Sequence, residues 1–268
     1  MTKIRKISTH LFLGIASFLS IFPFIWMLIG TTNTSTNVIK GKLSFGNALQ
    51  SNINGFLAST DVGSILWMSF KVSIIGTLLT LLICSMAGYG FEIYRSKGKD
   101  RLMTVLMLSM MMPFAAIMVP LFKLFSQLRL MNTATAVILP SMSTAFMIFF
   151  FLQNTKSFSK EILQAARVDG LSEIQAFFYI YMPTMKSTYA AAAIITFMNY
   201  WNSYLWPLIV LQSQDKKTMP LVISSLASAY SPDYGIIMVA IVITTLPTVI
   251  IFFLMQKHFV AGMIGSVK

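Results

Sequence analysis

The chain has 268 residues, of which 56% are hydrophobic and only 10% charged, and its formal net charge is +12. A soluble globular domain carries about 25% charged residues, so this composition excludes an ordinary fold wetted on all sides. The positive charge does not mark a nucleic-acid partner, because Lys and Arg stand in short clusters between long apolar runs and form no continuous basic face.

Cys84 is the only cysteine, and His10 and His258 lie at opposite ends. No disulfide, no metal cluster and no local His pair is expected, and no residue is assigned a catalytic role. Cut wherever Asp, Glu, Lys and Arg are missing for about 20 residues, the chain yields six runs long enough to cross a bilayer. They are 11–39 (apolar as far as Gly30), 72–91, 102–122, 130–155, 187–214 and 234–256. The expected fold class is an all-α membrane protein with six transmembrane helices. The first run follows Lys3, Arg5 and Lys6 as a signal peptide would. It exceeds the ~7–15 residues of a signal core and no A-x-A-like site follows, so it reads as a retained span. Residues 43–60 are uncharged but broken by Ser, Asn, Gln and Gly. They read as an external loop with room for a short surface helix.

With the N-terminus in the cytoplasm, the inner loops hold Lys3, Arg5, Lys6, Arg95, Lys97, Lys99, Arg101, Lys156, Lys160, Arg167, Lys186, Lys257 and Lys268. The outer ones hold Lys40, Lys42, Lys123, Arg129, Lys216 and Lys217, and Lys71 can snorkel from the outer end of the second span. Thirteen against six is expected to put both termini on the cytoplasmic side of the membrane. Prolines 23, 113, 120, 140, 207 and 247 fall in or beside spans, where each removes a backbone donor and can kink its helix. Residues 189–193 (YAAAA) offer small side chains for close helix contact.

The inner segment 159–183 reads as two helices with a break. Ser159 is placed as an N-cap and Glu161 suits the positive end of the helix dipole. Ile162, Leu163 and Ala166 share one face, and Gly170 can take the left-handed conformation that ends the helix. Ser172 and Gln175 form an S-x-x-Q capping box, and Ile174, Phe177, Phe178 and Tyr181 form the stripe of a second helix. Pro183 marks the turn into the fifth span. Such a helix fits either a groove on another protein or the membrane surface, and the residues alone leave both open.

Gln164-Ala165-Ala166-Arg167-Val168-Asp169-Gly170, followed by Phe177, Ile180 and Pro183, resembles the EAA loop of membrane subunits of binding-protein-dependent ABC importers, with the pattern E-A-A-x-x-D-G and a later I-x-L-P. Gln164 stands for the usual Glu and Met182 for the usual Leu, so any ion pair of the family Glu is lost here. The resemblance extends through Ala87-Gly88-Tyr89-Gly90-Phe91, Met111-Met112-Pro113, Leu130-Met131-Asn132 and Trp201-Asn202-Ser203-Tyr204-Leu205-Trp206-Pro207-Leu208 to the tail starting at Phe259. These point to the carbohydrate-uptake branch, most similar to its six-span, maltose-type permeases. The organisation this implies is an N-terminal segment with first span and external loop (1–64), a permease core (65–258) and a cytoplasmic tail (259–268).

The resemblance implies a permease subunit that forms half of the pathway of an ATP-driven sugar importer, for which an oligosaccharide is the expected cargo. Its coupling residues would be Glu161, Ile162, Leu163, Gln164, Ala165, Ala166, Arg167, Asp169 and Gly170. The chain has no G-x-x-x-x-G-K-[ST] loop, so it is not expected to be the ATPase. The resemblance implies that ATP and Mg belong to two partner ATP-binding subunits and that this chain binds no cofactor itself. A second, homologous permease subunit and an external sugar-binding protein complete the set. The outer loop 212–233 resembles the one that reaches into the binding protein, and the tail after residue 258 resembles one that touches the ATPases. Asn199, Trp201, Asn202, Tyr204 and Trp206 cluster in the fifth span. They read either as polar and aromatic lining of a sugar path or as interface anchors and helix-bridging amides. Two rival functions are an ion-coupled carrier for a small polar solute and an intramembrane enzyme. The first wants ionisable residues in mid-membrane, where only Lys71 and Glu92 approach a span, at its edge. The second wants a nucleophile, acid pair or metal motif that the spans lack.

Overall fold

The computed structural model describes residues 3–264, with the side chains of residues 3, 4, 255 and 257–264 outside the description. Every element among the described residues is helical. In chain order they are α1 (Lys3–Thr31), α2 (Ser35–Ile39), α3 (Leu49–Ser59), α4 (Val62–Ile93), α5 (Lys97–Ser109) and α6 (Phe114–Gln127). There follow α7 (Ala134–Ile138), α8 (Ala145–Thr155), α9 (Lys160–Val168), α10 (Glu173–Gln175), α11 (Met182–Thr184) and α12 (Lys186–Trp201). The last are α13 (Leu205–Val210), α14 (Met219–Ala227) and α15 (Tyr234–Ile264). The expectation of a tail contact beyond residue 258 falls on side chains outside the described residues.

Three helices are long and apolar enough to cross a membrane, over Arg5–Thr31, Val62–Ile93 and Tyr234–Leu254, and two bent pairs bring the number to as many as five. The expectation of unbroken spans at 102–122, 130–155 and 187–214 is therefore corrected. The third run is α5 and α6, bent by 98° across a break at which Pro113 is extended (φ −65°, ψ 134°). Proline disfavours the helical conformation of the residue before it and offers no N–H, so the helix stops. The fourth run is α7, continued by a tight turn over Leu139–Ser141 that contains Pro140, and α8, bent by 49° across residues 142–144. The fifth is interrupted at residues 202–204, just where Pro207 removes the donor that the Ser203 carbonyl would need. Pro23, Pro120 and Pro247 instead lie inside helices that continue through them.

The chain divides into two compact units. One comprises residues 1–62 and 219–247. Its loop after α1 is laced by two buried asparagines. Asn33 Nδ2 donates to the carbonyls of Ile29 (3.0 Å) and Ser44 (2.9 Å), and Asn52 Nδ2 donates to those of Thr31 (2.8 Å) and Asn33 (2.9 Å). Each amide thus satisfies two carbonyls where a helix end leaves them unpaired. The stretch expected to be an external loop contains α3, 11 residues long, with Phe56 and Asn52 buried.

The other unit comprises residues 63–218 and 248–268. Its core joins Cys84 and Tyr89 of α4, Met147, Ile148 and Phe151 of α8, and Tyr189 and Ala192 of α12. Ala191 and Ala192 are buried, so the small residues at 189–193 do admit a close neighbour. Asn132, in a left-handed conformation (φ 62°), accepts from the backbone N–H groups of Gln212 and Ser213 at 3.2 Å each. Asparagine tolerates that conformation, which explains why it follows Leu130-Met131 at this turn.

Candidate functional site

The segment after α8 is built by short-range rules. Ser159 occupies the position before α9 with an extended backbone, but its hydroxyl donates to Glu161 Oε2 at 2.6 Å and does not cap the helix. That hydrogen bond holds the exposed Glu161 carboxyl below its ordinary pKa. At the other end, Gly170 N–H bonds to the Arg167 carbonyl (3.1 Å) and Leu171 N–H to that of Ala166 (3.0 Å), with Gly170 at φ 84°. This pair of bonds is the Schellman termination, and only glycine enters its left-handed position without strain. The capping box forms two residues later: Ser172 N–H bonds to Gln175 Oε1 (2.9 Å) and Gln175 N–H to Ser172 Oγ (3.4 Å). Ser172→Ala removes one member, so the unfolding midpoint in detergent should fall by the equivalent of about 1 kcal/mol.

The second helix is less regular than its sequence pattern. Residues 176–181 wind as a π-helix between α10 and α11. Pro183 lies just beyond, and the wider turn accommodates a residue that can neither donate to nor sit against the carbonyl four positions back. The stripe is consequently split. Phe177 and Tyr181 are buried, whereas Ile174 and Phe178 are exposed. Pro183 lies within α11, and the helix is interrupted at Met185 (φ −90°, ψ 20°) instead.

Two aromatic rings hold this loop to the unit. Phe177 and Tyr181 stack at 5.4 Å, and Tyr89 of α4 meets them edge-on at 5.4 and 4.8 Å. The Tyr181 hydroxyl pairs with Thr155 Oγ1 at 2.6 Å, which satisfies a buried phenol. Polar pairs reinforce the seat: Arg167 Nε bonds to Glu173 Oε1 at 2.7 Å, the Tyr94 hydroxyl donates to Glu173 Oε2, and Lys160 Nζ lies 3.5 Å from Glu92 Oε1. Arg167 first, and Tyr94 after it, hold the Glu173 carboxyl below the usual carboxylate range.

On α9 itself, Leu163 and Ala166 face the core, while Glu161, Ile162, Gln164, Ala165 and Arg167 are exposed, as are Asp169 and Gly170 after it. Ile162 therefore leaves the face it was expected to share. Val168 is 88% exposed, and the Gln164 side chain makes no hydrogen bond among the described residues. What the helix offers outward is a mixed surface of Ile162, Gln164, Ala165 and Val168, flat at Ala165.

The second set of residues does not come together as one lining. Trp201 is 1% exposed, stacked on Phe197 at 5.7 Å and tilted against Phe70 at 4.8 Å. Trp206 is buried, donates from Nε1 to the Ala136 carbonyl at 2.8 Å and meets Phe114 and Phe125 edge-on. Tyr204 is half-buried and Asn202 exposed. Asn199 alone reaches a recess of about 130 Å³, whose other walls include Thr80, Ser141, Thr144, Thr196 and Tyr200. Tyr200 OH pairs with Thr80 Oγ1 at 3.2 Å, whereas the buried Thr196 hydroxyl has no partner among the described residues. The sequence carried a signal for these missed residues: Ser73, Thr77, Thr80 and Cys84 lie at helical spacing on the buried face of α4. In the stretch 212–233, expected to be an outer loop, the chain forms a short turn over Gln214–Lys216 and then α14.

Residues 81–265 match the family described as binding-protein-dependent transport system inner membrane component. The chain is similar to the lactose transport system permease protein LacG of Rhizobium radiobacter, at 56% identity over 272 residues and 100% of both chains. It is similar to the arabinooligosaccharides transport system permease protein AraQ of Bacillus subtilis (strain 168), at 35% identity over 99% of this chain and 96% of that one. Its fold matches a chain of a bacterial ABC transporter that imports the acidic polysaccharide alginate, with a TM-score of 0.80, 21% identity, and coverage of 96% and 97%.

Proposed function

Since this chain belongs to the family of binding-protein-dependent transport system inner membrane components, we propose that it forms half of the pathway of an ABC importer for a neutral di- or oligosaccharide such as lactose. The observation that carries the coupling role is α9. It is seated by Leu163 and Ala166, stopped by Gly170, and turns Ile162, Gln164, Ala165 and Val168 outward. A short, capped helix with a flat outward face is a shape for a groove on another protein. In this reading Glu161, Gln164, Ala165 and Val168 meet one of two ATP-binding subunits, and closure of that pair around ATP pushes the loop. A second permease subunit completes the pathway and an external binding protein delivers the sugar, reached by the segment around α14. Both termini are cytoplasmic, residues 65–258 form the permease core, and residues 259–268 lie on the ATPase side.

For the path itself, the hydroxyl-lined recess at Thr80, Thr196, Asn199 and Tyr200 replaces the two tryptophans, whose rings are committed to packing. A buried hydroxyl without a partner, such as that of Thr196, is costly in an apolar setting and is ready to bond a sugar hydroxyl in passing. The test is ATP hydrolysis by the assembled importer in liposomes with its binding protein, given lactose, arabino-oligosaccharides or sn-glycerol 3-phosphate in turn. Lactose should stimulate hydrolysis and be taken up. Stimulation by sn-glycerol 3-phosphate alone, or uptake without ATP, would overturn the reading.

A further inference from the structure

Resting on the coupling role proposed above, we infer that the loop carrying α9 moves as one body with the C-terminal end of α4, because a polar clamp at each end of α9 fastens it there. The first clamp is Lys160, the opening residue of α9, whose Nζ stands 3.5 Å from Oε1 of Glu92 in the last turn of α4. Glu92 is a buried residue, and Lys160 is its only hydrogen-bond or ion-pair partner among the described residues. A buried carboxylate stripped of its counter-charge is strongly disfavoured, so Lys160 is held to that spot even though its own side chain is half in solvent.

The second clamp closes the other end. Arg167, in the last turn of α9, gives its Nε to Oε1 of Glu173, and Tyr94, just past α4, gives its hydroxyl to Oε2 of the same carboxylate. Both oxygens of Glu173 are therefore shared between α9 and the end of α4. The Arg167 guanidinium also lies 5.8 Å from the centre of the Tyr94 ring, and Lys99 approaches that ring at 5.2 Å while bonding to the Gly90 carbonyl at 2.9 Å. Tyr94 is thus pinned between two cations.

Exposed ion pairs contribute little stability, so their use here is positional. A helix held only by Leu163 and Ala166 could roll on that narrow face. Opposite-sign pairs at both ends, about two turns apart, stop rolling and sliding alike. Toward α12 the connection is different in kind. It runs through the π-helix and then Met185, whose conformation interrupts the helix. A push on α9 is accordingly delivered first to α4, the helix that carries Thr80 of the hydroxyl-lined recess. Arg167, Glu173, Tyr94, Lys160 and Glu92 act as positioning residues, through α4, and touch no substrate.

The test uses the assembled importer with Arg167→Glu, Glu173→Arg and the double exchange, reading lactose uptake, ATP hydrolysis and co-purification of the ATP-binding subunits. Each single variant should retain hydrolysis and co-purification while uptake per ATP falls about tenfold, within the usual range of coupling between sites. The double exchange should recover most of it. Loss of co-purification in Arg167→Glu would mean a direct ATPase contact, and a double exchange no better than the singles would mean no clamp. Either overturns the inference. A second measurement needs no sugar: spin labels on Leu171→Cys, directly after α9, and Met86→Cys should report the same distance in nucleotide-free and ATP-bound complexes. A distance that changes between those states sinks the inference, whereas a wild-type complex that imports no lactose sinks only the substrate reading.

Discussion

Exchanging Ala165 for Glu should abolish uptake by the assembled importer while leaving the chain in the membrane at normal abundance. Ala165 sits on the outward face of α9 and is exposed, so the isolated subunit has little stake in its identity. On an open helix surface Ala→Glu costs only a few tenths of a kcal/mol. Pressed into the groove of an ATP-binding subunit, the same carboxylate would be stripped of water without a partner. About 3 kcal/mol lost at such an interface corresponds to more than a hundredfold weaker association. Affinity capture of the ATP-binding subunits should therefore fail in parallel with uptake. Normal uptake by this variant would remove α9 from the coupling interface. Gly170→Val should act at the same step by another route, since a β-branched residue cannot enter the left-handed position that ends α9 without strain.

The loop was readable in advance because its rules are local. The Gly170 stop and the Ser172–Gln175 box each involve residues within a few positions of one another, and both form as their spacing predicts. What the pattern could not supply is which face a neighbour covers. Ile162, Ile174 and Phe178 have the periodicity of core residues yet stay exposed, because the ring of Tyr89 and the π-helix select Phe177 and Tyr181. The same limit explains the tryptophans. Trp201 and Trp206 have the composition of a sugar platform, but Phe70 and Phe114, distant in sequence, claim their faces. The breaks at Pro113 and Pro140 were marked by proline, although a hydropathy window averages across them and reports one span.

Gln164 bears on how far the family charge matters. In this chain the residue is exposed and its side chain bonds to no other described residue, so its lost charge is neutral for the loop's own fold. Lys160, Arg167 and Glu173 of the loop are turned back toward the end of α4, whereas Glu161 and Asp169 stay exposed. The outward face of α9 therefore keeps the Glu161 carboxylate beside the uncharged Ile162, Gln164, Ala165 and Val168, and the inward links are ionic. In the reading proposed above, that division suits a helix that slips into a groove yet remains attached to its own span.

The largest effect on folding should come from Gly88. A Cβ built there would lie 2.6 Å from Phe151 Cβ, 2.8 Å from the backbone N of Leu152 and 2.9 Å from the Phe151 carbonyl carbon. Two of these are backbone atoms, which cannot swing aside, so α4 and α8 would have to part. Phe151 is fully buried in the core that also seats the loop carrying α9, and separating the helices would open that core along Cys84, Tyr89 and Met147. Overpacking a well-filled core costs about 1–3 kcal/mol for added methylenes, and Gly88→Val should exceed the upper end because the obstacle is rigid. Folded, monodisperse protein in detergent should be nearly lost. Gly90, two residues on, is the internal control. No atom lies within 4 Å of its added Cβ, and replacing an unhindered helical glycine with alanine gains about 0.5–1 kcal/mol. Gly90→Ala should therefore match or exceed the parent midpoint in a thermal unfolding series. Equal tolerance at both positions would show that α4 and α8 do not approach as closely as their backbones indicate.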